Sequence, residues 1–241
     1  MEMFFLFKIY WYNINIMIPI RDDNPYKTKP YMTWFIIIAS IGIFIFQMSL
    51  PYEEMEALLI SYGFIPAELH SIINDGNFSI LGNVAASIFA CMFLHGSWVH
   101  LLGNMWSLWL FGDNVEDKIG KFNFLFFYLL SGFAASGVHY FVNMNSEIPV
   151  IGASGAIAGV MGAYVLMFPL ARIVTLVPIV WIPLFFHIPA FVFIGLWFSL
   201  QVFLGVSELG LTQVAGGVAW WAHIGGFLFG AVMVRLYKRG D

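Results

Sequence analysis

Long runs of apolar residues, separated by short polar segments, make up most of this chain. A helix that crosses the hydrocarbon core of a bilayer needs roughly 20 such residues. Six runs of about this length occur, at residues 32–50, 98–115, 122–143, 153–170, 187–205 and 218–236. The hydrophobic pattern therefore predicts an all-α, polytopic bundle of six transmembrane helices.

The basic residues lie on one side of this six-helix layout. Lys and Arg favour the cytoplasmic side of short membrane loops. All ten fall on the side that holds both termini: Lys8, Arg21, Lys27, Lys29, Lys118, Lys121, Arg172, Arg235, Lys238 and Arg239. The opposite loops contain Glu and Asp but neither Lys nor Arg. Both termini are therefore predicted to be cytoplasmic. A different number of spans would scatter the basic residues over both sides of the membrane, so their agreement also supports the count of six.

The layout divides the chain into three regions. Residues 1–30 are predicted to be a cytoplasmic segment, residues 31–237 the membrane domain and residues 238–241 a cytoplasmic tail. Residues 1–16 are rich in aromatic side chains but interrupted by Lys8. Either an interfacial anchor or a start codon placed upstream of Met17 explains them, and we favour the second.

Two connections are unusual. Residues 51–97 form a long outer loop between the first and second helices, and its apolar stretches Ala57–Ile65 and Val84–Leu94 predict short helices in the membrane interface. The segment Ile173–Phe186 is also apolar, but its two prolines break a regular helix. It is predicted to be an apolar loop on the inner side.

Composition narrows the class of protein further. Hydrophobic residues make up 61% of the chain, charged residues only 10%, and the mean hydropathy is +0.85. A soluble domain of this size needs more charge on its surface. The few Lys and Arg residues form no stripe that would bind nucleic acid. A single cysteine, Cys91, excludes an internal disulfide and a multi-thiolate metal site, and no H-E-x-x-H zinc motif occurs. No cofactor is expected.

Four polar side chains stand at the outer ends of three predicted helices. His100 and Asn104 lie near the start of the second helix, Ser154 at the start of the fourth and His223 near the start of the sixth. At about 1.5 Å of rise per residue, all four lie within roughly 10 Å of one depth. Three helices therefore bring a serine, two histidines and an amide to one layer of the membrane.

These residue types are sufficient for nucleophilic catalysis. A serine hydroxyl becomes nucleophilic when an adjacent base takes its proton, and His223 is the candidate base for Ser154. The Ser154 backbone N–H, the Asn104 amide and His100 are candidate donors to an oxyanion. The fourth and sixth helices contain no Asp or Glu, so the pattern indicates a Ser–His dyad.

Glycines on two helices allow such a contact. Small residues recur along the fourth and sixth helices at Gly155, Gly159, Gly162, Gly226 and Gly230. This spacing lets helix backbones approach closely in lipid. A serine on one helix can then reach a histidine on the other.

Each residue also has a structural explanation. Ser154 could cap a helix, the histidines could form hydrogen bonds between helices, Asn104 could bridge two helices, and the glycines could serve packing alone. The remaining histidines, His70, His95, His139 and His187, are interpreted as structural. The coincidence in depth favours catalysis, because independent structural residues have no reason to share one layer.

At these positions the sequence resembles the rhomboid family of intramembrane serine proteases. His95 to Asn104 matches the family pattern H-G-x-x-x-H-x-x-x-N, and Gly152 to Gly155 matches G-x-S-G. Ala222 to Gly230 matches A-H-x-x-G-x-x-x-G. A further element, G-x-x-x-E-x-x-x-G, occurs at Gly112, Glu116 and Gly120. Motif order and the six-helix layout agree from Met17 to the C-terminus.

The resemblance implies a fold, an activity and roles for residues. The expected activity is cleavage of transmembrane segments of single-span or other membrane proteins, which reach the site sideways from membrane lipid. Trp197 and Phe198 on the fifth helix are then gate candidates. Glu116 and Lys118 would brace the inner end of the second helix and the long outer loop.

One position departs from the pattern. Some members of the family stack an aromatic residue, four positions after the serine, on the catalytic histidine. In this chain that position is Ala158, so another group must support the His223 ring.

Two rival functions are less consistent with the sequence. A transporter or channel requires polar residues along the whole path, whereas the inner halves of these helices are almost wholly apolar. A catalytically inactive relative that binds transmembrane clients typically lacks the serine or the histidine. The expected location is the plasma membrane of a bacterium or archaeon, because no organelle-targeting extension is visible.

Overall fold

A computed structural model describes residues 17–179, 182–209 and 217–237. The predictions for residues 1–16 and for the tail at 238–241 lie outside these ranges. Helices occur at all six predicted positions: α1 (Tyr31–Ser49), α5 (Trp98–Ile119), α6 (Lys121–Val142), α7 (Ser154–Met167), α8 (Ala190–Glu208) and α9 (Trp220–Tyr237). Among the described residues, α1, α6 and α8 are long and apolar enough to cross a membrane.

The other three helices differ from these in length or polarity. Helix α7 is apolar but has only 14 residues. Helix α5 carries acidic and basic side chains near its C-terminus, among them Asp113, Glu116 and Lys118. Helix α9 has 18 residues and carries the basic Arg235 in its last turn. The fold is thus mostly helical, with three candidate membrane spans in the described part of the chain.

The segment between α1 and α5 contains short helices. They are α2 (Tyr52–Tyr62), α3 (Pro66–Asp75) and α4 (Leu81–Ala90), with a 3₁₀ turn at Phe78–Ile80. Helices α2 and α4 overlap the two predicted stretches, whereas α3 was not predicted. Its boundaries are visible in the sequence, since Pro66 stands in the first turn and Gly76 ends the helix in the left-handed conformation.

A small antiparallel sheet corrects two predictions, the all-α class and the inner loop. Strands β1 (Ile18–Asp22), β2 (Arg172–Ile179) and β3 (Ile182–Pro189) pair in the order β1-β2-β3. The prolines break a helix here, but proline can lie in a β-strand where no neighbouring strand needs the N–H that proline lacks. Pro178 lies beyond the last residue of β2 that pairs with β1, and Pro183 lies on the edge strand β3.

Asp22 attaches the sheet to the helices. The Tyr164 hydroxyl of α7 donates to Asp22 Oδ2, and Asn114 Nδ2 of α5 donates to the same oxygen at 3.0 Å. Burial raises the pKa of this carboxyl to about 6. The sheet is therefore fixed at the end of the bundle where α5 and α7 terminate.

Helix α7 lies at the centre of the fold. Ten of its fourteen residues are buried, in one unbroken stretch from Gly155 to Tyr164. Helices α5, α6, α8 and α9 surround it. A helix buried on all sides needs no polar face, which explains its apolar sequence.

The backbones of α7 and α9 are in direct contact. A Cβ atom at Gly226 would overlap the carbonyl oxygen of Gly155, and one at Gly230 would overlap that of Gly159. On the α7 side, a Cβ at Gly162 would overlap the carbonyl of Phe227. The small residues of the fourth and sixth predicted helices thus form a continuous interface in which the two backbones touch, as predicted.

Glu116 secures the first turn of α1. Its Oε1 accepts the Met32 N–H at 3.0 Å, and its Oε2 accepts the N–H and the hydroxyl of Thr33, both at 2.8 Å. The N-terminal residue before this helix, Pro30, provides no side-chain cap. These side-chain bonds run to α1 and not to residues 51–97, so Glu116 braces the first helix.

We expect Glu116→Ala to lower the free energy of unfolding by roughly 2–3 kcal/mol, because it leaves three donors at the start of α1 without their acceptor. Reversible unfolding by SDS in mixed micelles measures the change. Glu56→Ala, at an exposed position on α2, is the matched control. Equal stability of the two variants would contradict a capping role for Glu116.

We expect Gly226→Ala to destabilise the protein by about 1–3 kcal/mol, since a methyl group overpacks the α7–α9 interface. The same unfolding assay applies. Gly195→Ala on α8 is the control, because a Cβ there meets no atom within 4 Å. The close-packed interface would be refuted by a Gly226→Ala protein as stable as the Gly195→Ala protein.

Candidate active site

The backbone before α7 is shaped around Ser154. Gly152 has a φ of +121°, a conformation that residues with a side chain rarely adopt, and its N–H donates to the Cys91 carbonyl at 2.8 Å. A Cβ at Gly152 would lie 2.5 Å from His100 Nε2 and 3.6 Å from Asn104 Nδ2. Glycine is therefore required here by both conformation and space.

Ser154 and His223 meet across the α7–α9 interface. The Ser154 Oγ lies 2.8 Å from His223 Nε2. Ser154 is the first residue of α7, and His223 lies in the first turn of α9. Because the backbones of these helices touch, the short serine side chain on α7 can reach the imidazole ring on α9.

A third side chain contacts the imidazole. Gln201 of α8 places its Oε1 2.8 Å from His223 Nδ1. The sequence indicates a Ser–His dyad because the fourth and sixth helices contain no Asp or Glu that could orient the histidine. A polar residue inside the apolar run 187–205 was the signal that could have identified Gln201, because polar side chains within membrane helices are functional candidates.

Two tryptophans flank the His223 ring. The Trp197 ring centre lies 6.0 Å from it at an interplanar angle of 33°, and the Trp220 ring lies 6.2 Å away, nearly perpendicular. Ala158 is fully buried in the core. Trp197 and Trp220 are thus aromatic neighbours of His223 in this chain, which has alanine at position 158.

The two gate candidates face α9. Trp197 and Phe198 both contact the Phe227 ring, and Phe198 stacks on it with centroids 4.1 Å apart. Both residues are only partly buried. They join α8 to α9 through aromatic contacts beside the histidine.

Asn104 and His100 project from the first turns of α5 towards Gly152. Asn104 is buried, and its Nδ2 has no hydrogen-bond partner within the described ranges. A buried amide donor without an acceptor is costly, so such a donor is expected to serve a ligand. His100 is half-buried and packs edge-on against His95.

A cavity of about 570 Å³ connects these groups. Its wall includes Ser154, His223, His100 and Asn104, together with the buried glycine Gly155. This volume falls within the range of small-molecule and peptide side-chain sites. The four predicted site residues therefore face one common space.

Three of the histidines interpreted as structural have polar neighbours in the fold. His95 is held by Gln47, whose side chain bonds both the N–H and the carbonyl of that residue. His70 lies on α3 and contacts Tyr140 and Asn74. His139 has a polar neighbour in Asn143 and lines the cavity.

Comparisons with known proteins match this chain to a protein family. Residues 82–240, more than half of the chain, match the family model described as Rhomboid domain. Rhomboid protein 1, mitochondrial, of Saccharomyces cerevisiae is 29% identical over 150 residues, which cover 61% of this chain and 40% of that protein. RHOMBOID-like protein 5 of Arabidopsis thaliana is 36% identical over 76 residues, 32% of this chain and 25% of that protein.

A third relative is the presenilin-associated rhomboid-like protein A, mitochondrial, of Danio rerio. It is 29% identical over 147 residues, 57% of this chain and 34% of that protein. The chain thus spans less than half the length of each of these three relatives. With apolar helices long enough to cross a bilayer and a Rhomboid domain match over most of the chain, this integral membrane protein belongs to the rhomboid family.

Proposed function

We propose that this protein is an intramembrane serine endopeptidase that cleaves transmembrane segments of membrane proteins. Ser154 is the nucleophile and His223 the general base. The observation that supports this most directly is the 2.8 Å contact between Ser154 Oγ and His223 Nε2 at the wall of a cavity. No step of the reaction requires a cofactor.

The first step is attack on the scissile carbonyl. His223 Nε2 accepts the Ser154 hydroxyl proton as Oγ bonds to the carbonyl carbon. The carbonyl π electrons move to oxygen and give a tetrahedral oxyanion. We assign three donors to this oxyanion, all from residues that line the cavity: the Ser154 N–H at the start of α7, the His100 ring, and Asn104 Nδ2, which has no hydrogen-bond partner among the described residues.

In the remaining steps His223 first acts as an acid and then again as a base. The oxyanion collapses, the C–N bond breaks, and the His223 imidazolium gives its proton to the leaving amine. Water then attacks the acyl-Ser154 ester with His223 again as base, and the serine is regenerated. The cavity beside the two residues provides space for that water.

The proposal includes six spans with both termini cytoplasmic. Ser154, His223 and His100 lie at the starts of α7, α9 and α5, whereas α5 and α7 end near the sheet. The basic residues Lys118, Arg172 and Arg235 lie at or just beyond the ends of α5, α7 and α9. From the positive-inside rule we infer that the site lies near the outer face, with residues 51–97 as an outer loop and 31–237 as the membrane domain.

Substrates are proposed to reach the site from lipid past α8. Of the three candidate spans, α8 has the smallest buried share, 22% against 28% for α1 and 44% for α6. Trp197 and Phe198 lie on this helix beside His223 and Phe227. Displacing them would open the cavity sideways, which makes them the proposed gate.

The membrane in which the protein works remains a prediction. The sequence favours the plasma membrane of a bacterium or archaeon, whereas two of the relatives described above carry mitochondrial names. Fluorescence microscopy of a tagged protein in its native cell decides between the two.

We expect a fluorophosphonate probe to label the purified protein at Ser154, because the adjacent imidazole activates that hydroxyl. Ser154→Ala and His223→Ala should abolish both labelling and cleavage of a single-span substrate in liposomes. Peptide mapping by mass spectrometry locates the label. Ser107→Ala is the control, since Ser107 Oγ donates to the Gly103 carbonyl oxygen of its own helix. Cleavage by the Ser154→Ala protein at the parent rate would refute the mechanism.

We expect Asn104→Ala to lower kcat by about 10²–10³-fold with little change in KM, because one oxyanion donor is lost in the transition state only. Steady-state kinetics on the same liposome substrate measure both constants. A rise in KM at unchanged kcat would instead assign Asn104 to substrate binding.

A further inference from the structure

Gln201 is the one polar member of the buried stripe that the structure describes on α8. The other buried residues of this helix are Ala190, Ile194 and Gly205. Gln201 is 4% exposed and faces α9. A position that served packing alone would be filled by an apolar residue, as the rest of the stripe is.

The hydrogen bonds of Gln201 fix the orientation of its amide. Its Nε2 donates to the Trp197 carbonyl oxygen at 3.3 Å. A carbonyl oxygen can only accept, so the amide nitrogen must lie on that side and the amide oxygen must face His223. The acceptor 2.8 Å from His223 Nδ1 is therefore Oε1.

This orientation selects one tautomer of the imidazole. An amide oxygen can only accept, so the hydrogen bond requires a proton on Nδ1. In the neutral ring the lone pair then lies on Nε2, the atom 2.8 Å from Ser154 Oγ. The opposite tautomer would present an N–H to the serine and could not accept its proton.

We propose that Gln201 is a positioning residue that holds His223 in its Nδ1–H tautomer and so keeps Nε2 free to accept the Ser154 proton. This inference rests on the proposed function. The same bond persists when Nε2 is protonated, because Nδ1 carries a proton in both states. Gln201 therefore orients the ring throughout the reaction without exchanging a proton itself.

An amide suits this position better than a carboxylate. The Asp of a Ser–His–Asp triad orients its histidine through an ionised group. An ionised group inside a membrane helix is expensive. Gln201 supplies the acceptor without a charge. One turn further, Gly205 keeps α8 close to α9, since a Cβ added there would lie only 3.3–3.5 Å from Ile224, Trp220 and Trp221.

The test compares three variants of the full chain in detergent. Gln201→Met removes the acceptor at nearly constant volume, Gln201→Glu retains an acceptor oxygen at the same reach, and Ser207→Ala removes a bond within α8 only. For each variant, the rate of fluorophosphonate labelling and the ¹⁵N NMR signals of the His223 ring nitrogens are measured. Thermal unfolding checks that the variants fold.

We expect Gln201→Met to label about tenfold more slowly, which is the effect of one lost hydrogen bond, and its His223 signals to shift towards the Nε2–H tautomer. Gln201→Glu should restore most of the rate, and Ser207→Ala should match the parent. If the parent labels at Ser154 but Gln201→Met labels equally fast with an unchanged tautomer, the inference is overturned and the proposed function stands.

The other outcomes are equally decisive. Failure of the parent itself to label at Ser154 overturns the proposed function, while the tautomer measurement on the parent still tests the geometry. If Gln201→Met slows labelling without a change of tautomer, and Gln201→Glu does not restore it, Gln201 is a packing residue and the inference is wrong.

Discussion

The contact between the backbones of α7 and α9 is the constraint on which the site depends. Serine has one of the shortest polar side chains, and it spans 2.8 Å to an imidazole on another helix only if the helix axes are close. No side chain separates the two helices at Gly155, Gly159, Gly226 and Gly230. The same interface thus stabilises the bundle by packing and sets the distance between the two reacting atoms.

A second constraint comes from the absence of water inside a membrane bundle. Buried polar groups there must be paired within the protein or with a ligand. Glu116 satisfies three donors at the start of α1, and Gln201 is bonded at both ends of its amide. Asn104 Nδ2 is one of six buried side-chain polar atoms without a partner among the described residues, and it lines the cavity where an oxyanion would form. This amide lies where the proposed chemistry needs a donor.

The sequence allowed the helix positions and the common depth of Ser154, His223, His100 and Asn104 to be predicted, because both follow from local pattern. A run of apolar residues predicts a helix wherever it lies, and residues at the starts of alternate helices share a depth. That argument gives the depth of Ser154 and His223 but not their rotation about the helix axes. Their contact is a property of the packed bundle.

Features that depend on distant pairing could not be derived in this way. The sheet joins residues 18–22 to residues 172–179, and nothing local to either segment identifies the other. Gln201 does not follow from the dyad prediction for a different reason: that prediction rests on the absence of Asp and Glu from two helices, whereas the Gln201 amide is neutral. In lipid, a neutral polar residue within an apolar run carries the same information as a charged one.

The position of Gln201 on α8 connects access with chemistry. This helix contributes Trp197, Phe198 and Gln201, all on the side that faces α9. If α8 moves outward to admit a substrate, the hydrogen bond to His223 Nδ1 breaks, because N–H···O bonds in proteins usually span about 2.7–3.2 Å. The base is then held in its reactive tautomer only when α8 has returned. Under the proposed function, the enzyme would be least reactive while its site is open to lipid and water, and fully aligned once a substrate is enclosed.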